Sequence, residues 1–245
     1  MALFLKCLAA LIVLLLVWGG CVALRARALL AQTSLLEAKA DRFSKDYYLG
    51  NPADPPALYA VLGDSTAEGV GADNLEQTYP YAVAAAYAKD GNYVHVLNFA
   101  VSGARAADVE RSQIPRLKGL SPLWVLLAVG ANDATHLTPA ASYAASLDGI
   151  NAALQATGAK VLVATTPDTG RIPALPFPYN VITRSYAKRQ NRQAAAIFPL
   201  TSITVDLFND GALDAGRDPG LYAADRFHPS SKGYAVWAKL FVTRR

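Results

Sequence analysis

Cysteine is nearly missing from this chain, and its scarcity limits the chemistry available. The two cysteines, Cys7 and Cys21, both lie in an apolar stretch near the N-terminus, and no cysteine follows them. Thiolate catalysis and a cysteine zinc site are therefore excluded for everything after Cys21. Cysteine usage also says nothing about the redox environment of that part of the chain.

Charged residues and histidines are scarce as well. Charged residues make up 17% of the 245 residues, and the formal net charge of +4 is mild and unclustered. This charge gives no reason to expect a nucleic-acid partner. The apolar fraction of 53% excludes a disordered chain and suffices for a sizeable core. With only three histidines, His95, His136 and His228, few side chains are candidates for a general base.

An apolar run, Cys7–Leu24, stands apart from the rest of the sequence. Lys6 precedes it and Arg25 follows it. As a helix it would span about 27 Å, close to the hydrocarbon thickness of a bilayer. We interpret residues 1–25 as an uncleaved membrane anchor or a cleaved signal segment, with a lipoprotein signal at Cys21 as a third reading.

The apolar run gives conflicting signals about the side of the membrane on which the following domain lies. The count of flanking positive charges would place the following domain in the cytoplasm. A short N-terminal tail before a leucine-rich core is instead the usual pattern of export. We expect a membrane-anchored or exported protein whose main domain is extracytoplasmic.

The remaining chain divides into a helical linker at 26–56 and one domain at 57–245. A helix is predicted over Ala26–Ser44, and the segment Asn51–Pro56 then breaks the chain. Strands are predicted at Leu58–Leu62, Tyr93–Phe99, Leu123–Val129, Lys160–Thr165 and Ile203–Leu207. Helices are predicted at Thr78–Ala88, Ala106–Leu117, Ser142–Thr157, Val181–Ile197 and Ser230–Val242. This alternation predicts an α/β fold, a three-layer α/β/α sandwich around a five-stranded parallel sheet.

Polar residues follow the predicted strands, at the sheet edge where ligands of such folds bind. Gly63-Asp64-Ser65 follows the first strand and Ser102-Gly103 the second. Gly130-Ala131-Asn132-Asp133 follows the third, and Asp225-Arg226-Phe227-His228 lies in a loop after the fifth. These four blocks are therefore expected to meet at one edge of the sheet.

Together the four blocks supply what acyl transfer needs. A serine hydroxyl such as that of Ser65 is a weak nucleophile until a base accepts its proton, and His228 is the candidate base. Asp225 would orient the ring of His228. The N–H groups of Ser65 and Gly103 and the side-chain amide of Asn132 are candidate oxyanion-hole donors. Each residue also has a structural explanation: Ser65 as a helix cap, Asn132 in a tight turn, and Asp225 with His228 as a surface pair.

The four blocks, in this order, resemble the SGNH hydrolase superfamily, also called the GDSL esterase/lipase family. The resemblance spans about residues 58–243 and departs from the family name at Thr66, where leucine is implied. It implies a flavodoxin-like fold. It also implies hydrolysis of carboxylic esters or thioesters with neither a metal nor another cofactor.

The expected function is therefore that of a serine esterase or acylhydrolase that forms an acyl-enzyme through a Ser65–His228–Asp225 triad. The alternatives are an acyltransferase or deacetylase acting on cell-envelope carbohydrate, and a membrane-tethered binding module without catalysis. The expected partners are a small-molecule, lipid or carbohydrate ester and the membrane, with no nucleic acid and a monomeric chain. Residues 134–139, 167–179 and 210–222 are the candidate walls of the substrate pocket.

Overall fold

The structure is a computed structural model that describes residues 27–52, 55–198 and 202–244, together with Val13, Val17, Gly20 and Leu24. The apolar run Cys7–Leu24, interpreted above as an anchor or signal, thus lies almost entirely outside the described residues. Among the residues that are described, no helix is both long enough and apolar enough to cross a membrane.

Six strands form one sheet in the order β1-β3-β2-β4-β5-β6. Their bounds are β1 Asp46–Leu49, β2 Ala57–Gly63, β3 Val94–Asn98, β4 Trp124–Ala128, β5 Lys160–Ala164 and β6 Ile203–Val205. Strands β2 to β6 are parallel, as predicted. The additional strand β1 pairs antiparallel with β3, with Asp46 opposite Leu97. The segment 26–56, predicted to be a helical linker, therefore contributes an edge strand to the sheet.

Eight α-helices in the described part of the chain are numbered in chain order. They are α1 at 27–40, α2 Ser65–Glu68, α3 Tyr79–Lys89, α4 Ala106–Asp108, α5 Ala131–Thr135, α6 Ala140–Thr157, α7 Tyr179–Ile197 and α8 Ser231–Arg244. Short 3-10 turns occur at Leu75–Gln77, Thr169–Arg171 and Pro219–Leu221. The first helix ends four residues before the predicted Ser44, and a turn then leads into β1.

Two apolar cores cover the two faces of the sheet. Alternate residues of β2 point to opposite faces: Tyr59 and Val61 pack with α3 and α8, whereas Ala60 and Leu62 pack with α6. The same alternation runs through β4 and β5. Because both faces are covered, every position of the central strands β2 and β4 is apolar, which explains the uninterrupted apolar runs there. The predicted three-layer α/β/α sandwich is confirmed.

The predicted helix Ala106–Leu117 is not one regular α-helix. Only α4 is α-helical, and a π-helical segment Val109–Gln113 and a 3-10 turn Ile114–Leu117 complete it. The proline at position 115 has no N–H to continue a regular ladder. The wider π turn changes the direction of the side chains that follow, and Gln113 is buried beside the end of β2.

Candidate active site

Ser65 lies at the carboxyl end of β2, as the first residue of α2. Gly63, at the end of the strand, has a φ of 151°, and a Cβ there would lie 2.2 Å from the carbonyl oxygen of Ala128. Only glycine therefore allows β2 and β4 to approach this closely before the chain turns. The turn leaves Ser65 only 4% exposed, at the floor of a cleft.

Asp64 supports this turn as the N-cap of α2. Its Oδ1 accepts hydrogen bonds from the backbone N–H of Thr66 (2.9 Å) and from the hydroxyl of Thr66 (2.8 Å). Burial raises the pKa of the Asp64 carboxyl to about 6, although the hydrogen bonds from Thr66 act in the opposite direction. The side chain points into the protein, so its role here is to hold the turn.

The structure brings Ser65, His228 and Asp225 into one hydrogen-bonded chain. The Nε2 atom of His228 lies 2.8 Å from Oγ of Ser65, and its Nδ1 atom lies 2.6 Å from Oδ2 of Asp225. All three side chains are buried, and Asp225 is 0% exposed. This is the arrangement in which a histidine can accept a proton from a serine while a carboxylate orients its ring.

Asp225 is held in place by its own loop. Its Oδ1 accepts hydrogen bonds from the backbone N–H groups of Phe227 (3.0 Å) and His228 (3.1 Å). Burial tends to raise the pKa of Asp225, but the hydrogen bonds from His228 and the two N–H groups outweigh it and hold this pKa below its ordinary value. The side chain is therefore an ionised acceptor at neutral pH, so Nδ1 of His228 carries the proton of their hydrogen bond.

Ser65, Gly103 and Asn132 line the same cleft of about 380 Å³ as His228. The amide Nδ2 of Asn132 donates to the carbonyl of Ala104 at 3.1 Å, which fixes the amide plane and leaves its second N–H for another acceptor. Gly103 has a φ of 78°, in the left-handed region that favours glycine. The three predicted oxyanion-hole donors thus belong to residues around one space beside the serine.

Three charged residues that the sequence analysis missed fix the loop before Gly103. The backbone N–H of Ser102 donates to Oε2 of buried Glu68 at 2.8 Å, and Lys45 pairs with the other oxygen of Glu68. The hydroxyl of Ser102 donates to Oε1 of Glu37, on α1, at 2.5 Å. No sequence motif links these side chains, because they are distant along the chain and meet only through the fold.

The walls of the cleft differ from the prediction. Helix α1 supplies Leu29, Leu30, Thr33 and Glu37, and the predicted segment 167–179 supplies Ala174. The predicted segments 134–139 and 210–222 contribute none of the lining residues described. Residues of the second segment instead line a separate cavity of about 30 Å³ beside His228. The prediction was wrong for these two segments because α1, treated as part of a linker, occupies one side of the site.

Residues 61–236 match the model of the GDSL-like lipase/acylhydrolase family. The chain belongs to this family. A GDSL-like esterase of Mycobacterium tuberculosis is 32% identical to it over 185 residues, which are 74% of this chain and 59% of that relative. The match therefore covers less than two thirds of the length of that relative.

Solved structures share the fold of this GDSL-like family member. The structure of TesA aligns with a TM-score of 0.59 at 22% identity, over 75% of this chain and 94% of that one. A lipase from a goat rumen metagenome, Lip_vut3, aligns at 0.62 with 18% identity, over 77% and 97%. A catalytic mutant of the acetylxylan esterase Axe2 from Geobacillus stearothermophilus aligns at 0.57 with 19% identity, over 80% and 95%. These likenesses support the flavodoxin-like SGNH fold.

The other two histidines of this GDSL-like family member lie outside the cleft. His95 is on β3, where its Nε2 lies 2.7 Å from Oδ1 of Asp46 and its ring stacks on Tyr48. His136 follows α5, and its Nδ1 lies 2.8 Å from the carbonyl of Asn132. In the described part of the chain, no group of three His, Cys, Asp or Glu side chains is placed to hold a metal ion.

Proposed function

We propose that this chain is a serine ester hydrolase in which Ser65, His228 and Asp225 form the catalytic triad. The observation that carries the proposal is the buried chain of hydrogen bonds from Ser65 Oγ to His228 Nε2 (2.8 Å) and from His228 Nδ1 to Asp225 Oδ2 (2.6 Å). Its open end lies in a cleft large enough for a substrate. Membership of a lipase and acylhydrolase family gives independent support.

In the acylation step, Oγ of Ser65 attacks the acyl carbonyl carbon while Nε2 of His228 takes the hydroxyl proton. Asp225 stabilises the imidazolium that forms. The carbonyl oxygen becomes an oxyanion, for which the N–H groups of Ser65 and Gly103 and the amide of Asn132 are the donors. Each such donor contributes about 10²–10³ in rate.

The tetrahedral intermediate then collapses. The ester C–O bond breaks, the proton on His228 passes to the leaving alcohol, and the acyl group stays on Ser65. His228 next deprotonates a water molecule, which attacks the acyl-enzyme through a second oxyanion. Collapse of this intermediate releases the acid and returns the proton to Ser65. A thioester would follow the same course with a thiol as leaving group.

The lining of the cleft favours an apolar acyl group. Leu29, Leu30, Ala174 and Phe227 all line it, and these side chains offer no hydrogen bonds to a sugar. We therefore propose carboxylic esters with an acyl chain of several carbons as the substrate class. The alternative is an acyltransferase or deacetylase that acts on acyl groups of cell-envelope carbohydrate, and a transfer product formed with a sugar acceptor would favour the acyltransferase.

The test is turnover of p-nitrophenyl esters of increasing acyl length by the full chain, beside two variants. Ser65→Ala should lower kcat by at least about 10⁴-fold. Ser185→Ala, at an exposed serine of α7, should match the wild type. Substantial turnover by Ser65→Ala would refute the triad. A folded wild type that cleaves no ester without a sugar acceptor would move the assignment to acyl transfer.

We also propose that residues 1–25 anchor or export the domain. The support is the length and apolar character of Cys7–Leu24. Cell fractionation with protease protection tests this proposal. Full-length chain in the membrane fraction, or processed chain outside the cytoplasm, would support it, whereas unprocessed chain in the cytosol would refute it.

A further inference from the structure

We propose that Thr33 on α1 is a positioning residue of the reaction, which holds the Asp225 carboxylate against His228 by a hydrogen bond. The proposal rests on the triad proposed above. It makes α1 a component of the site, although this helix precedes the residues 61–236 that match the family model. The contact joins residues 192 positions apart in the sequence.

The geometry identifies the donor and the acceptor. Oγ1 of Thr33 lies 3.1 Å from Oδ2 of Asp225 and also 3.1 Å from the carbonyl of Leu29, one turn earlier in the helix. A hydroxyl has one hydrogen and can satisfy one of these acceptors at a time. The ionised carboxylate is the stronger acceptor and has no hydrogen of its own to give. Thr33 therefore donates to Asp225.

The bond supplies a donor that Asp225 otherwise lacks. Its Oδ1 takes two backbone N–H groups, whereas its Oδ2 has only His228 Nδ1 besides Thr33 in the described part of the chain. Because Asp225 is 0% exposed, bulk water does not reach the carboxylate. A buried carboxylate oxygen with too few donors is costly. Thr33 and His228 together fix Oδ2 from two directions.

A second contact sets the position of α1 over the site. Glu37 lies four residues after Thr33, hence on the same face of the helix. Its Oε1 accepts the hydroxyl of Ser102 at 2.5 Å, next to Gly103. One face of α1 therefore touches both the triad acid and the loop of the proposed oxyanion hole. The two contacts restrain the helix at the points where the chemistry takes place.

The test uses the full chain and three single variants assayed with p-nitrophenyl butyrate. Thr33→Val keeps the branched shape but removes the hydroxyl. We expect kcat to fall about tenfold, as for loss of one hydrogen bond to a charged group, with KM within about twofold of the wild type. Thr33→Ser keeps the hydroxyl and should stay within about twofold in both constants. Ser34→Ala removes a hydroxyl from the exposed face of α1 and should match the wild type.

Three results would overturn the proposal. The first is an unchanged kcat in Thr33→Val. The second is an equal loss in Thr33→Val and Thr33→Ser, which would point to packing of the side chain. The third is a raised KM at constant kcat, which would make Thr33 part of the substrate wall only. If Thr33→Val does not fold, Thr33→Ala carries the same test, because alanine favours a helix more strongly.

Ser65→Ala, assayed in the same series, separates this proposal from the proposed function. Turnover that survives in Ser65→Ala would refute the triad, and the role of Thr33 would fall with it. An inactive Ser65→Ala beside a fully active Thr33→Val would refute only the role of Thr33.

Discussion

The side-chain amide of Gln113 hydrogen-bonds to both backbone groups of Gly63. Its Oε1 accepts the N–H of Gly63 and its Nε2 donates to the carbonyl of Gly63, each at 2.8 Å. The amide thus pairs with the last residue of β2 as a neighbouring strand would, two residues before Ser65. The π-helical turn Val109–Gln113 brings it there.

This pairing leads to a prediction for stability and activity. Gln113→Met keeps the size of the side chain but removes the acceptor of the Gly63 N–H and one of the two donors to the Gly63 carbonyl, which keeps the N–H of Val101 at 3.2 Å. We expect the free energy of unfolding to fall by about 1–3 kcal/mol and kcat to fall with it, because the turn that carries Ser65 loosens. Urea denaturation and ester turnover measure these effects. Gln155→Met, on the exposed side of α6, is the control, and equal behaviour of the two variants would contradict the prediction.

Asp64 should make stability depend on pH. Burial raises its pKa from 3.8 to about 6 in the folded protein, so between these values the folded state keeps a proton that the unfolded state has lost. The contribution of Asp64 to the free energy of unfolding therefore declines as the pH rises from about 4 to 6. The difference between the two pKa values corresponds to a change of about 3 kcal/mol at most in the free energy of unfolding.

Asp64→Asn removes this titration while its side-chain oxygen can still cap α2. Relative to the wild type, the variant should gain up to about 3 kcal/mol of stability between pH 4 and pH 7. Urea denaturation at the two pH values measures the gain. Asp148→Asn, at an exposed position of α6, should follow the wild type at both values. A constant difference between Asp64→Asn and the wild type across this range would contradict the prediction.

Glu68 should affect the rate through the loop of Ser102. Glu68→Ala removes the acceptor of the Ser102 N–H and leaves the Gly103 N–H less well positioned, so we expect kcat to fall about tenfold. Lys45→Met should have a smaller effect, because Lys45 is partly exposed and water screens its charge. Glu76→Ala, at an exposed site, is the control. A larger loss in Lys45→Met than in Glu68→Ala would contradict this order.

Helix α1 should help to select the acyl chain. Leu29→Trp enlarges a side chain that lines the cleft, so the preferred p-nitrophenyl ester should shift to a shorter acyl chain and KM for longer chains should rise. Leu35→Trp places the same side chain on α1 at a residue that is 65% exposed and outside the cleft lining. It should leave the preference unchanged. The same shift in both variants would show that the cleft wall is not the cause.

The sequence predicted the parallel part of the fold because its signals are local. A central strand covered on both faces is an apolar run of a few residues, and the polar blocks after β2, β3 and β4 follow directly from it. The edge strand β1 lacks such a run. It has only four residues, begins with Asp46 and pairs only with β3. The π-helical segment Val109–Gln113 also escaped prediction, because its one apolar residue, Val109, gives no spacing that distinguishes a π turn from an α-helix.

The candidate site likewise contains residues that the sequence reveals and residues that it does not. Ser65, Asn132 and His228 belong to short blocks that stand out in the sequence. Thr33 and Glu68 carry no comparable local signal, because each acts through one contact with a residue far away in the chain. Contacts of this kind depend on how α1 and the loops pack, and the spacing of residues along one sequence does not reveal them.

The most direct test of the account is covalent labelling of Ser65. The full chain is treated with a fluorophosphonate, and the modified peptide is located by mass spectrometry. We predict one adduct per chain, on Ser65, formed in parallel with loss of esterase activity, absent in Ser65→Ala and much slower in His228→Gln, because the base that activates the hydroxyl is gone. An adduct on another residue, or inactivation without modification of Ser65, would contradict the account.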